Sequence, residues 1–438
     1  ILSAHGKGRD LLTCAVSEPQ NIDRDIKILK QSSVITYYRL HDSYRIGEGS
    51  DIDIAERIEE ARSHLKNDHE SLLKTFKRFL SEKYIVARRH ALQTGTHRYF
   101  DVSFVTNLSS HSTKKNTDAC GQIVVVLPFR SISTLRKEAT QATKLHDTIV
   151  VAIPHQMDVL LNLIEEMACL EWVAENTPGL RNDRTARRQL DLRRVECSTS
   201  LERQAQWVLD PRPAPAGNAC RYFYNGEEQN IENFTGVIRL VSDICDTLYN
   251  KAPRILNELI ARDNISSAAA MARRIVMEGI LERSHLENLG IVGFPAEMSI
   301  YASILKQGGL HIYDEKTQTW VLTLPEKEND RLNLRPCFEL MEQEIFNSEA
   351  ERVELTALFQ KMADRPYGIP EGLHPLLFTI FWYLHRKNLF LYRENSFLPD
   401  PSLPHFELLQ RRPKLFSVSG IRISGARRQL IDKLAIML

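Results

Sequence analysis

The sequence predicts a mixed, mainly α-helical fold that carries a βαβ segment, a long helical hairpin and two tandem units of short helices followed by a two-stranded hairpin. Three observations predict it. Residues 249–325 run from a proline-braked helix start (KAPRILNELIARD) through an alanine-rich helix and a third helix (PAEMSIYASILKQGG) into the alternating segment LHIYDEKTQTWVLTL. The apolar runs GQIVVVLPF and HDTIVVAIP bracket a helix-length segment, the pattern of a parallel strand pair covered on both faces. Two long helix-periodic stretches flank a break at Thr177, Pro178 and Gly179.

Bulk composition bounds the classes open to the chain. Its 438 residues are enough for about two to four domains with sizeable cores. Hydrophobic residues at 43% and charged residues at 26% are those of an ordinary globular chain, and a net charge of +1 excludes a polybasic protein. Any nucleic-acid surface is therefore a local patch. Seven dispersed cysteines (Cys14, Cys120, Cys169, Cys197, Cys220, Cys245 and Cys337), with no CxxC pair, fit reduced thiols in the cytoplasm better than disulfides or zinc. The run TIVVAI is too short to span a bilayer, so no membrane partner is expected. A start at Ile1, in what reads as mid-element, marks a piece of a longer protein.

In chain order, residues 1–50 read as an irregular N-terminal segment. Residues 51–155 read as a helix plus a small α/β unit. From Asp51 to about Gln93 the pattern is helical, with Asp51 or Asp53 placed to cap it and Ile54, Ile58, Ala61, Leu65, Leu72, Phe76, Phe79 and Leu80 recurring at near-helical spacing. GTHRYFDVSFV turns into a strand, and the βαβ segment follows. Residues 156–211 form the helical hairpin, with Asn182 or Asp183 capping its second arm. PRPAPAG at 211–217 reads as a stiff linker. Residues 212–330 make the first helices-plus-hairpin unit, opened by a small hairpin turning at Asn225 and Gly226. Residues 331–438 make the second, with LHPLLFTIFWYLHRK as its third helix, LFLYRENSFLP as its hairpin and a basic C-terminal extension. Short helices followed by a hairpin are the grammar of a winged helix, so both units are read as winged-helix-like.

Chemical motifs are sparse. The turns after the two buried strands, Pro128-Phe129-Arg130 and Pro154-His155, lack the glycines that close backbone amides around phosphate, and AHGKGRD lacks the spacing and the preceding strand of a phosphate loop. His41 with Asp42, His64 with His69, and His155 with Asp158 are neighbours that fourteen histidines produce by chance. Glu165 and Glu166 read as the solvated edge of a helix. No catalytic, cofactor-binding or metal-binding residue is assigned. Basic clusters are the stronger signal, because each cation laid on a phosphate releases a counterion. Candidate nucleic-acid contacts are Arg88, Arg89 and Arg98 around one helix end, Arg187 and Arg188 in the 181–203 arginine run, and Arg411, Arg412, Lys414, Arg427 and Arg428 near the C terminus. A solvated or salt-bridged helix face explains the 181–203 run as well. The C-terminal span has Asp432 as its first nearby acid, which leaves little for internal pairing. The helix LHPLLFTIFWYLHRK is apolar nearly all round and is expected to be buried, unable to read base edges.

RHALQTGTHRYFDVSFV, ACLEWVAENTPGLRNDRTARRQL, YNKAPRILNELIARDNISSAAAMARR, NLGIVGFPAEMSIYASIL and RPYGIPEGLHPLLF resemble segments from the middle and C-terminal part of large bacterial P-loop ATPases of phage-defence systems, the BREX-type (BrxC/PglY-like) family. The resemblance implies an ATPase domain, with its ATP and Mg, N-terminal to this chain, and helical and winged-helix parts that contact double-stranded DNA or other defence-system subunits in a homo- or hetero-oligomer. No Walker residue of that family maps onto this sequence. The implied role is the non-catalytic body that couples the ATPase to its contacts; the alternative is a protein–protein scaffold that binds no DNA.

Overall fold

The structure is a computed structural model that describes residues 21–32, 34–38, 43–46, 52–80, 84–108, 118–347 and 352–421. It is mixed α/β with helices predominating. The chain divides into two compact units, Ile1–Ile85 with Phe100–Val237, and Val86–Tyr99 with Ile238–Leu438.

In the first unit, α1 (Ile22–Gln31) precedes an antiparallel ribbon of β1 (Ile35–Tyr38) and β2 (Ser43–Ile46), so regular structure stands where an irregular segment was expected. The helix read from Asp51 onward is broken. Asp53 caps α2 (Ile54–Leu65) through the amides of Ala55 and Glu56, Asn67 turns at φ 73°, and Asp68 caps a new helix, α3 (His69–Lys77). The apolar stripe keeps its period across that break, which hides it from a pattern search. A strand stands at Tyr84–Val86, where the helix was expected to run on to about Gln93.

A six-stranded sheet follows. Its strands are β3 (Tyr84–Val86), β4 (Tyr99–Val105), β5 (Gly121–Val126), β6 (Ile149–Ile153), β7 (Arg221–Tyr224) and β8 (Glu227–Gln229), lying side by side in that order. The β4–β5 and β5–β6 pairs are parallel, and α5 (Ile132–Leu145) makes the β5–β6 crossover, as the two apolar runs predict. Every residue of β5 and β6 is buried. β7 and β8 turn at Asn225 (φ 52°) and Gly226 (φ 79°), the paired positive φ of a tight hairpin. This hairpin pairs with β6 and so extends the first unit to Val237, where a new unit was expected from 212. PRPAPAG is likewise no open linker: Asn218 and Cys220 donate to the Asp210 carbonyl, and Asp210 holds Arg212 with its carboxylate.

α6 (Asp158–Asn176) packs against α2, α3 and α7 (Arg184–Ala205), making a helical layer in which α7 is one of several neighbours. Arg62 of α2 pairs with both Glu165 (3.2 Å) and Glu166 (3.1 Å), so these acids form an inter-helix ion pair and not a solvated edge.

The second unit holds α4 (Arg88–Thr94), α8 (Phe234–Leu248, from Ile238 onward), α9 (Ser267–Glu282), α10 (Ala296–Ile300, widening into a π-turn over Tyr301–Lys306) and the ribbon β9 (His311–Asp314) with β10 (Thr319–Leu322). The expected helix KAPRILNELIARD does not form. Its amides are taken from outside: Arg254 donates to the Leu332 carbonyl and Ile255 to that of Thr94. Next come α11 (Arg335–Phe346), β11 (Val353–Glu354), α12 (Leu355–Ala363), α13 (His374–His385), β12 (Leu389–Arg393), β13 (Ser396–Leu398), α14 (Leu403–Arg411) and β14 (Phe416–Gly420), the strands forming a sheet in the order β11-β14-β12-β13. One apolar core joins the two halves of this unit, from Ile255, Val276 and Ile304 to Phe338, Phe378, Phe381 and Val418. In α13, His374 through Trp382 are all buried, as its unbroken apolar sequence requires.

His374 gives this core a pH dependence. Burial pushes its pKa from 6.5 to about 4 while its Nε2–H donates to the Ile369 carbonyl (2.8 Å). The unfolded chain takes up that proton near pH 6.5 and the folded one resists, so stability is present above this range and falls as pH drops toward 4. Urea unfolding followed by tryptophan fluorescence is expected to show a loss of roughly 2 kcal/mol between pH 7 and pH 5 from this group alone. His374→Gln is expected to flatten that slope.

Candidate nucleic-acid interface

Ten basic residues were expected to meet phosphate. Their local structure sorts them into cations consumed inside the fold and cations left on its surface.

Arg89 and Arg98 are of the first kind, and they belong to the second unit. Ala87 receives the chain from β3 and its amide donates to the Arg98 carbonyl (2.9 Å), closing residues 87–98 into a loop around α4. Gly95 ends α4 at φ 75°, where an added Cβ would lie 1.9 Å from the Ile255 carbonyl oxygen, so only glycine fits. His90 points inward at 1% exposure. Its Nδ1 lies 2.7 Å from Asp246 Oδ1, and its Nε2 accepts from Arg98 Nε at 2.9 Å. That pairing fixes a neutral imidazole with the proton on Nδ1. Arg98 donates onward to the Gly368 carbonyl (2.6 Å) and stacks 3.6 Å from the Tyr249 ring centroid. Arg89 bridges Asp243 (2.6 Å) and Asp246, and these two carboxylates raise its pKa, Asp246 first. Arg98, at 7% exposure, is thus withdrawn from the surface, and Arg89 has its charge answered. Arg88, the first residue of α4, is exposed and forms no ion pair among the described residues.

On α7 the same division holds within two residues. Arg187 turns back to donate to the Leu180 carbonyl (3.0 and 3.2 Å) and to that of Arg181, closing the turn ahead of the helix. Arg188 is exposed with no ion pair among the described residues, while Arg193 is buried and Arg194 reaches Asp191 at 3.8 Å. The 181–203 run is therefore partly a solvated face and partly internal structure.

Arg411, Arg412 and Lys414 are all exposed and form no ion pair among the described residues. Arg411 closes α14, Arg412 caps it by donating its backbone N–H to the Leu408 carbonyl (2.8 Å), and Lys414 sits in the next turn. One cation here serves the negative end of the helix dipole, worth about 0.3–1 kcal/mol. Three in four residues exceed that need. Arg427 and Arg428 lie outside the described residues.

Among the described residues the sheet has no topological switch point. β4, β5 and β6 succeed one another in a single direction, so no strand reversal opens a crevice at their carboxyl ends. Arg130, in the turn after β5, is bound to Glu138 (3.0 Å) and Asn107 (3.2 Å). His155, after β6, contacts the Ile153 carbonyl (3.0 Å), and burial lowers its pKa. Burial also pushes the thiols of Cys169, Cys197 and Cys220 up to about 12, so none of these three supplies a thiolate at neutral pH. Among the described residues no three His, Cys, Asp or Glu side chains are grouped to hold a metal ion, and no helix is long and apolar enough to cross a membrane.

Two features escaped the sequence. The His90–Asp246 pair joins positions 156 apart, with no local signal. Phe294 and Val292 stand 100% and 90% exposed on a loop whose sequence, GIVGFP, is a turn signal with an apolar tip.

No family model, curated protein or solved structure matches the chain.

Removing the Arg98 guanidinium is expected to leave His90 Nε2 and the Gly368 carbonyl buried without donors. Arg98→Met should lower stability by roughly 2–4 kcal/mol, read from the urea midpoint. Arg88→Met, two residues before His90, should change it by less than about 0.5 kcal/mol.

Proposed function

We propose that the chain is a non-catalytic coupling body that grips the backbone of duplex DNA without reading its sequence. The observation that carries this reading is the exposed cluster Arg411, Arg412 and Lys414, which forms no ion pair among the described residues, whereas Arg89, Arg98 and Arg187 are held by carboxylates or carbonyls. In this reading Arg427 and Arg428 extend the cluster, and Arg88 and Arg188 add isolated contacts. The order α11, β11, α12, α13, β12, β13 corresponds to helix, strand, helix, helix, hairpin, which supports a winged-helix unit. The order α8, α9, α10, β9, β10 supports a second such unit before it. In both, the third helix is poor in base-reading groups. α13 is buried, and α10 with its π-turn exposes mainly Ser299 and Lys306. Backbone contact is what remains. The sequence resemblance to defence-system ATPases supports a coupling role, in which nucleotide chemistry is the work of another domain.

The rival reading is a protein–protein scaffold, favoured by the buried third helix of the second unit. Charge reversal separates the two. With Arg411→Glu, Arg412→Glu and Lys414→Glu combined, duplex affinity is expected to fall ~10- to 100-fold in a gel-shift titration. The slope of log affinity against log salt should shrink by about 2 to 3. Affinity and slope equal to the parent's would remove this cluster from DNA contact. No duplex binding by the parent would leave the scaffold.

A further inference from the structure

We propose that the pocket framed by α12, the start of α13 and the end of α14 receives one unpaired cytosine from the DNA that the neighbouring cations hold. The inference rests on the backbone grip proposed above and names what the strand inserts. The pocket measures about 180 Å³. A cavity of about 150 Å³ accepts one benzene-sized ring, so the space suits a pyrimidine and is short for the fused rings of a purine. Phe359 and His374, both buried, supply an aromatic wall, with ring centroids 5.2 Å apart. Such faces replace the stacking that an unpaired base has lost. Gln410 and Pro413 also line the pocket. Arg411, Arg412 and Lys414 are each next in sequence to one of these two, so phosphates beside an inserted base lie within their reach.

The polar groups of the lining are unspent. His374 is 4% exposed, and its Nε2–H donates to the Ile369 carbonyl (2.8 Å), which leaves Nδ1 with a lone pair and no partner among the described residues. Burial lowers the His374 pKa to about 4, so this nitrogen stays an acceptor at neutral pH. Gln410 is oriented from behind: Arg273, which can only donate, meets its Oε1 at 3.1 Å and leaves its amide N–H groups for a ligand. Gln360 donates to Asp364 (2.9 Å) and keeps its carbonyl oxygen open, and the exposed Glu371 forms no ion pair among the described residues. Acceptors therefore outnumber donors: His374 Nδ1, the Gln360 oxygen and the Glu371 carboxylate stand against the Gln410 amide, with the Thr356 hydroxyl able to serve as either. A ring with an exocyclic amine and an adjacent acceptor answers that set. Cytosine presents its N4 amine beside N3, and a carboxylate is a regular acceptor for that amine. Thymine presents a carbonyl in the same place, where these acceptors repel it.

Fluorescence anisotropy with the 438-residue chain tests this on three probes: a fully paired duplex, and the same duplex with one bulged cytosine or one bulged thymine. The cytosine bulge is expected to bind roughly tenfold tighter than the paired duplex, and the thymine bulge to stay near it. Thr356→Trp fills the pocket from an exposed lining position, and Glu371→Ala removes an exposed acceptor, so neither disturbs the core. Each should erase the cytosine preference while paired binding persists. The readout is the ratio of bulged to paired affinity, which a general change in charge does not move. Equal affinity of the parent for paired and cytosine-bulged DNA, or for the two bulges, overturns the pocket and leaves the backbone grip standing. A preference kept in both variants overturns it as well. Failure to bind any of the three duplexes removes the grip, and the pocket with it. Cytidine monophosphate, titrated alone by calorimetry, separates the two sources of the base. Heat of binding to it, with no preference among the duplexes, would give the pocket to a free nucleotide and overturn insertion from a strand.

Discussion

The hydrogen bonds of His90 tie together three stretches of the second unit that lie far apart in sequence. One ring nitrogen serves Asp246 and the other receives Arg98, so a buried imidazole, a half-buried carboxylate and a buried guanidinium must all be in place together. Each is costly alone: a buried cation without a partner, or a carboxylate without a donor, forfeits solvation it cannot replace. Together with the Thr94 carbonyl that accepts from Ile255, they bind residues 86–99 into the second unit, although the strands on either side, β3 and β4, belong to the sheet. Connectivity follows from this. The chain crosses between its units at 85–86, 99–100 and 237–238, so neither unit is a continuous stretch of sequence.

That constraint also explains how the arginines divide. An arginine forced inside must find carbonyls, carboxylates or rings, and Arg98 and Arg273 both do: Arg273 donates to the Gly372 carbonyl (2.6 Å) and to Gln410 (3.1 Å). With no carboxylate beside it, burial lowers the Arg273 pKa to about 10. The exposed cations at Arg411, Arg412 and Lys414 answer to no such requirement. They are the cations that carry the proposed contact with the DNA backbone, where each phosphate met would release a counterion.

The parts of the fold carried by short-range pattern were legible in the residues. The parallel pair β5–β6, the cap at Asp183, the turn at Asn225 and Gly226, and the burial of α13 all follow from period, capping chemistry or continuous apolarity. Tertiary demand overrode the rest. KAPRILNELIARD has a helical pattern, yet its amides are worth more to Thr94 and Leu332. The break at Asn67 left the apolar period intact. Of the candidate contacts, composition located the cations, but only geometry separated Arg187 from its neighbour Arg188, because consecutive helical residues point about 100° apart and only one faces the preceding turn.

Amide hydrogen exchange tests the central claim most directly, that residues 86–99 are an integral part of the second unit. The amides of Gly95 and Ile255 are predicted to exchange with the same opening free energy as those of α13, for instance Ile380, and to lose protection together with them as urea is added. Exchange of Gly95 and Ile255 at an opening free energy several kcal/mol lower, unaffected by the loss of α13, would show a segment merely resting on the unit and would contradict this account.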